Sequence, residues 1–165
     1  MAKTAQKIIP HIWLEKDADK AATFYVSIFK NSKILRTSYY PEAAEAISGQ
    51  KKGSVMTVSF KIEGRDFMVL NGGPLFKPNE AVSFMVLCDT QEEIDYYWKK
   101  LSFVREAEQC GWLKDKYGVS WQIVPAILEK MITDKDRRKV ERVTAAFLKM
   151  KKFNIPKLIK AYEGP

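Results

Sequence analysis

Few side chains in this sequence can do chemistry, and they do not converge on a familiar set. His11 is the only histidine among 165 residues. Imidazole is the commonest general base and metal ligand near neutral pH. A single histidine does not let a Ser-His-Asp triad be assembled from this sequence. Cys88 and Cys110 are the only cysteines. Cys110 has no histidine near it in sequence, so a Cys-His nucleophile is not indicated. Both cysteines lie in apolar surroundings and read as buried thiols. Trp13, Trp112 and Trp121 could wall a planar or apolar ligand, in competition with plain core packing. Asn71 precedes Gly72-Gly73-Pro74, where it could donate to a ligand or hold the turn. That glycine pair does not read as the Gly-rich strand–helix turn of a doubly wound sheet, because Pro74 and the polar stretch from Lys77 to Glu80 open no helix.

The elements that must position these residues follow from periodicity. Ile8 to Glu15 is β-compatible, and Asp17 can cap a helix over Ala18 to Phe29, where Ala21, Phe24, Tyr25, Ile28 and Phe29 recur at helical spacing. Lys33 to Tyr40 reads as a strand, and Pro41 to Lys52 as a polar loop or short helix. Ser54 to Ile62 alternates and so presents two different faces. Glu63-Gly64-Arg65-Asp66 signals a hairpin returning through Phe67 to Leu70. A second series then begins. Val82 to Cys88 is a strand, Thr90 and Glu93 form a capping box, and Ile94, Tyr97, Trp98 and Leu101 make a helical stripe. Weaker strands are expected at Phe103 to Glu106 and Gly111 to Lys114. A turn over Asp115 to Gly118 leads into Val119 to Val124, which Pro125 ends.

The two series align as a repeat. A shift of 72 puts His11-Ile12-Trp13-Leu14 on Ser83-Phe84-Met85-Val86 and Asp17 on Asp89. The hairpins align at 54: Gly64 on Gly118, Phe67 on Trp121, Val69 on Ile123. The fold class is therefore α+β: two tandem βαβββ modules, residues 7–74 and 80–125, forming one incomplete barrel over 7–125. A helical extension over 126–165 follows, with Val140, Val143, Phe147 and Met150 as an apolar stripe and Pro156 in the first turn of a last helix. The extension is expected on the outside of the sheet or across a subunit interface. In a cup of this kind His11, Trp13, Met68, Ser83, Met85 and Gln122 point inward, and a ligand sits between the modules.

Composition narrows the function classes. Apolar residues make up 46% of the chain, an ordinary globular share, and no apolar run approaches the length of a membrane span. Met1 to Lys7 has no apolar core of a signal peptide. With few cysteines, a reducing cytoplasm is the expected location. The formal charge is +8. Ten Lys or Arg against four acids lie between Asp134 and Pro165, so the excess reads as a solvated helix face ahead of a nucleic-acid surface.

The sequence resembles the vicinal oxygen chelate superfamily of glyoxalase I, bleomycin resistance proteins and extradiol dioxygenases. Within it the chain is most similar to the PhnB-like branch, often labelled a demethylubiquinone methyltransferase. The stretches that carry the resemblance are Gly53 to Val58, Leu70-Asn71-Gly72-Gly73-Pro74, Asn79 to Phe84, Tyr97-Trp98, Gln109 to Asp115, Ser120-Trp121-Gln122, and the tail from Arg142 to Tyr162. The resemblance implies a divalent metal held by one residue from the first and one from the last strand of each module. Those positions carry His11, Met68, Ser83 and Gln122. A site of that type wants histidines and carboxylates with open positions, whereas only His11 is a good ligand and Met68 is a soft thioether. The reading is therefore a cytoplasmic small-molecule binding protein without metal or cofactor, in a homodimer. Its ligand is expected to touch His11, Trp13, Met68, Asn71, Ser83, Met85, Trp112, Trp121 and Gln122, and no catalytic residue is assigned. The alternatives are a metal-dependent lyase, isomerase or dioxygenase using His11 and Gln122 with waters, and nucleic-acid binding through the basic tail.

Overall fold

The structure is a computed structural model that describes residues 6–164. The stretch read for a targeting signal, Met1 to Lys7, lies outside it as far as residue 5. The chain divides into two compact units, one ending at Pro78 and one starting at Asn79.

In the first unit, β1 (His11–Leu14) leads to α1 (Ala18–Ile28), β2 (Lys33–Tyr39), a short α2 (Glu42–Ser48) and the hairpin β3 (Val55–Ile62) and β4 (Arg65–Asn71). The sheet order is β1-β4-β3-β2, with β1 and β4 parallel and the other pairs antiparallel. Alternation decides the faces. Ile12, Leu14, Val58, Phe60, Ile62, Phe67 and Val69 are buried on the side that meets Ala18, Ala21, Ala22, Tyr25 and Ile28 of α1. Tyr25, Phe60 and Phe67 stack in sequence at 5.9 and 5.7 Å. The other face of the sheet has no helix on it within this unit.

Asp17 occupies the N-cap of α1 but does not cap with its side chain. Its backbone is left-handed, and its carboxylate pairs with Lys20 at 2.7 Å. The first helical N–H, of Ala18, instead donates to Asn71 Oδ1 at 2.7 Å. An orphan helix donor is thus satisfied from the last strand rather than from the preceding residue.

In the second unit, β5 (Ser83–Cys88) leads to α3 (Gln91–Leu101), β6 (Trp112–Lys114) and β7 (Ser120–Pro125), in the order β5-β7-β6. β5 and β7 are parallel and β6 and β7 antiparallel, so the first-to-last pairing and the hairpin of the first unit are repeated. Thr90 caps α3 by accepting from the Glu93 N–H, while Glu93 reaches back to the Asp89 N–H at 2.8 Å.

Two further details depart from the sequence reading. Phe103 to Glu106 is not a strand. Both the Phe103 and Val104 N–H groups donate to the Lys114 carbonyl, and Arg105–Ala107 winds into a 3-10 turn. Arg105-Glu106-Ala107-Glu108 offers no apolar face to bury, so nothing holds it extended. The second sheet therefore has three strands where the first has four. The register also slips. The two offsets would pair Ser83 with Gln122 as His11 pairs with Met68, but Ser83 pairs with Ser120 and Met85 with Gln122. A slip of two residues leaves every side chain on its expected face.

The extension comprises α4 (Ile127–Ile132), α5 (Arg137–Phe147) and α6 (Ile155–Glu163). Pro156 lies in the first turn of α6, and the Asn154 side chain caps it by accepting from the Lys157 N–H. The extension is built into the second unit. Met150 and Lys151 carbonyls accept from the Cys110 and Gly111 N–H groups at 2.9 and 2.7 Å, and Val143, Phe153 and Leu158 are buried. Gly111 has φ +82°, and a β-carbon there would lie 2.4 Å from the Phe153 ring. Only glycine satisfies both conditions.

Candidate functional site

On the helix-free face of the first sheet, register places Arg36, Ser59, Met68 and His11 in one row across β2, β3, β4 and β1. A bulge at Leu35 sets Arg36 into that row. Ile9, Leu35, Arg36, Ser59, Asp66, Phe67 and Met68 line a cavity of about 270 Å³. Asp66 pairs with Lys61 at 2.8 Å. Arg36 makes no ion pair and the Ser59 hydroxyl no hydrogen bond among the described residues. Both groups thus remain available to a ligand, and the His11 side chain is exposed beside them.

The next row holds Trp13, Leu70, Thr57 and Ser38. Ser38 and Thr57 hydroxyls share a 2.6 Å hydrogen bond. The Trp13 indole N–H donates to the Gly73 carbonyl at 2.9 Å, and its ring meets Phe76 edge-on at 5.0 Å. A β-carbon on Gly72 would stand 2.2 Å from that ring. The Gly72-Gly73 pair therefore exists to seat Trp13, and residues 72–82 contain no helix that could present a phosphate-binding N-terminus.

Asn71 is committed to the scaffold. Its Oδ1 accepts from Ala18, its Nδ2 donates to the Val55 carbonyl at 2.9 Å, and its own carbonyl accepts from the Tyr40 hydroxyl at 2.5 Å. Burial raises the Tyr40 pKa, so that hydroxyl stays a donor.

In the second unit, Met85, Gln122 and Trp112 form one row across β5, β7 and β6, and Ser83, Ser120 and Lys114 the adjacent one. Gln122 Nε2 donates to Ser83 Oγ at 2.9 Å. Lys114 is paired with Glu80. Met85 is 55% exposed. Ser120 is buried, and its hydroxyl has no hydrogen-bond partner among the described residues. Trp121 faces the other way. It is 2% exposed, packs against Phe84, and its indole N–H donates to Asp115 Oδ2 at 2.8 Å. Asp115 also accepts from the Tyr117 and Val119 N–H groups at 2.8 and 3.1 Å. This buried carboxylate shapes the β6–β7 turn and fixes the phase that aims Gln122 outward.

The structure thus places His11, Trp13, Met68, Ser83, Met85, Trp112 and Gln122 on helix-free faces, and Asn71 and Trp121 in supporting positions. Arg36 and Ser59 were missed. The alternation of Ser54 to Ile62 carried the signal for Ser59, but a bulge hid Arg36.

The donor set at the four superfamily positions does not fit a chelated divalent ion. It offers one imidazole, a soft thioether, a neutral hydroxyl and an amide oxygen, and no carboxylate. No group of three His, Cys, Asp or Glu side chains converges among the described residues. The cysteines supply no nucleophile there either. Burial, with Glu93 and Asp89 nearby, pushes the Cys88 thiol up to about 12. Cys110 Sγ faces the Phe147 carbonyl at 3.6 Å.

A family model described as 3-demethylubiquinone-9 3-methyltransferase matches residues 6–124. No curated protein matches the chain. Among solved structures, a PhnB protein of Bacillus cereus that carries the same methyltransferase description is 34% identical. It covers 73% of this chain and 100% of its own, with a TM-score of 0.60. A genomically encoded fosfomycin resistance protein, FosX, of Listeria monocytogenes is 18% identical over 80% of this chain and 100% of its own, with a TM-score of 0.52. A mutant of it solved with Mn(II) and a dihydroxypropylphosphonic acid is 17% identical over 79% of this chain and 100% of its own, at 0.51. The likeness to the Listeria protein speaks for the fold. The family match stops short of the extension, which contains α4, α5 and α6.

Proposed function

Since the chain belongs to the 3-demethylubiquinone-9 3-methyltransferase family, a PhnB-like branch of the vicinal oxygen chelate superfamily, we propose that it binds a small planar or apolar molecule on the helix-free faces of its sheets, without a chelated metal. The reading rests on the aligned row of Arg36, Ser59, Met68 and His11 beside a cavity of about 270 Å³. Apolar walls with a few unsatisfied polar groups are what orient a small ligand. Met68 and Leu35 supply the apolar wall, and Arg36 and Ser59 the polar anchors. In the second unit Trp112, Met85 and the Ser83–Gln122 pair offer the same mixture. The protein then acts by sequestering its ligand, as a homodimer in a reducing cytoplasm.

The family description names a methyl transfer. Nothing in the Gly72-Gly73 segment suits a methyl donor, since Trp13 occupies it, so no transfer step is assigned. A metal-dependent reaction is the competing reading. It draws on the Mn(II) bound by the Listeria relative, and it requires His11 to hold an ion with Gln122 through Oε1, since Nε2 is the atom that donates to Ser83.

The test is a thermal-shift screen of planar aromatic and apolar compounds, followed by calorimetry on hits. Specific binding raises Tm in proportion to RT ln(1 + [L]/Kd). Ser59→Trp, which fills the cavity, is expected to abolish the shift, and Arg36→Ala to weaken it. Hits that bind both variants as tightly as wild type would contradict the assignment.

A further inference from the structure

We propose that the groove between α5 and α6 receives helix α2 of a second copy of this chain. The groove has a volume of about 610 Å³. Its floor is Ala145, Ala146 and Ala161, small enough for a helix backbone to come close. Its rim is Lys149, Lys157, Lys160 and Arg142, and no carboxylate lines it. Arg142 is held in place by donating to the Ala161 and Tyr162 carbonyls at 3.0 and 2.7 Å. The side chains of the three lysines make no ion pair or hydrogen bond among the described residues. A shallow apolar surface under uncompensated positive charge selects a short, acidic, small-residue helix.

The chain carries such a helix. α2 reads Glu-Ala-Ala-Glu-Ala-Ile-Ser over Glu42–Ser48 and has no buried residue. Ile47 is 92% exposed. Ala43, Ala46 and Ile47 share one face at i, i+3 and i+4 spacing and are all exposed, with Glu42 and Glu45 on the adjoining side. A seven-residue helix does not hold itself together in water, because nucleation outweighs the few bonds it can close. It is stabilised by burying a face, and nothing in its own unit covers this one. Groove and helix match in polarity, side-chain size and charge. Two copies exchanging helices about a twofold axis satisfy both features at once, so the contact closes without leaving a free end. A nucleic acid would use the lysines but not the alanine floor, and would leave α2 bare.

The experiment is light scattering with size exclusion at several micromolar concentrations, with circular dichroism to verify folding. Wild type is expected at twice the 19.0 kDa chain mass. Lys149→Glu/Lys157→Glu/Lys160→Glu blocks the groove and Ile47→Asp blocks the helix. All four positions are exposed, so both variants should fold, and each alone should weaken the dimer at least tenfold. Mixed together, they should recover dimer, because one groove and one helix remain intact across the pair. A monomeric wild type, a dimer indifferent to either variant, or a mixture that stays monomeric would overturn the proposal. So would a monomer whose lysine variant loses only salt-sensitive retention on DNA, which would assign the groove to nucleic acid.

Discussion

Replacing Asp115 with Asn tests whether a buried carboxylate sets the phase of the last strand. Asp115 is 1% exposed and accepts from the Tyr117 and Val119 N–H groups through Oδ1 and from the Trp121 indole through Oδ2. Asn keeps one oxygen for the two backbone donors but turns an NH2 toward the indole N–H. One bond to a charged acceptor is lost and a buried donor is left without a partner. Each such change is worth about 1–3 kcal/mol, so Asp115→Asn should cost about 2–6 kcal/mol. Trp121→Phe strands the carboxylate oxygen from the other side and removes a buried N–H. Because both variants break the same bond, their effects should not add. The double variant should be more stable than the sum by about 1–2 kcal/mol, well beyond the roughly 0.5 kcal/mol scatter of independent sites. Urea unfolding followed by far-UV circular dichroism measures all four proteins without depending on tryptophan emission. A loss below about 0.5 kcal/mol for Asp115→Asn, or strict additivity, would refute the reasoning.

Other outcomes follow from single contacts. Gly72→Ala puts a β-carbon 2.2 Å from the Trp13 ring and should cost about 1–3 kcal/mol of overpacking, with Trp13 emission shifted to the red as the indole leaves the Gly73 carbonyl. Gly111→Ala meets both a positive φ and the Phe153 ring; it should lower the urea midpoint sharply and raise proteolysis of the extension, whereas Gly118→Ala, with open space around it, should show the backbone penalty alone. Cys88 is fully buried, and its thiol is raised from an ordinary value near 9 to about 12. The unfolded chain ionises first, so this thiol's contribution to stability is present below pH 9 and is lost as pH rises toward 12. Wild type should lose more stability than Cys88→Ala across that window, and Cys88 should resist alkylation at pH 8 until the protein is unfolded.

Much of this arrangement was legible in the sequence because strand alternation and helical spacing are local. Period-two patterns over Ser54 to Ile62 and Val119 to Val124 put Ser59, Gln122 and their neighbours on defined faces, and the repeat located corresponding strands in both halves. What escaped depends on distant partners. Asp17 has the chemistry of a helix cap, but the cap comes from Asn71, fifty-three positions from the Ala18 N–H that it accepts from. Asn71 looked available to a ligand because its partners, Ala18 and Val55, adjoin it only in the folded sheet. Trp121 has the size of a pocket wall, but its indole N–H donates to Asp115, which holds the ring in the core. The two-residue slip between β5 and β7 was invisible because it preserves facing. The bulge that brings Arg36 to the cavity leaves no composition signal.

The central claim, a ligand face that works without the chelated ion of its relatives, is tested most directly by elemental analysis and native mass spectrometry on the same purified sample. The account predicts no stoichiometric Zn, Ni, Mn or Fe, no change in metal content on His11→Ala, and a non-covalent small-molecule adduct that Ser59→Trp removes. One equivalent of divalent metal per chain, lost in His11→Ala and accompanied by loss of the adduct, would contradict it.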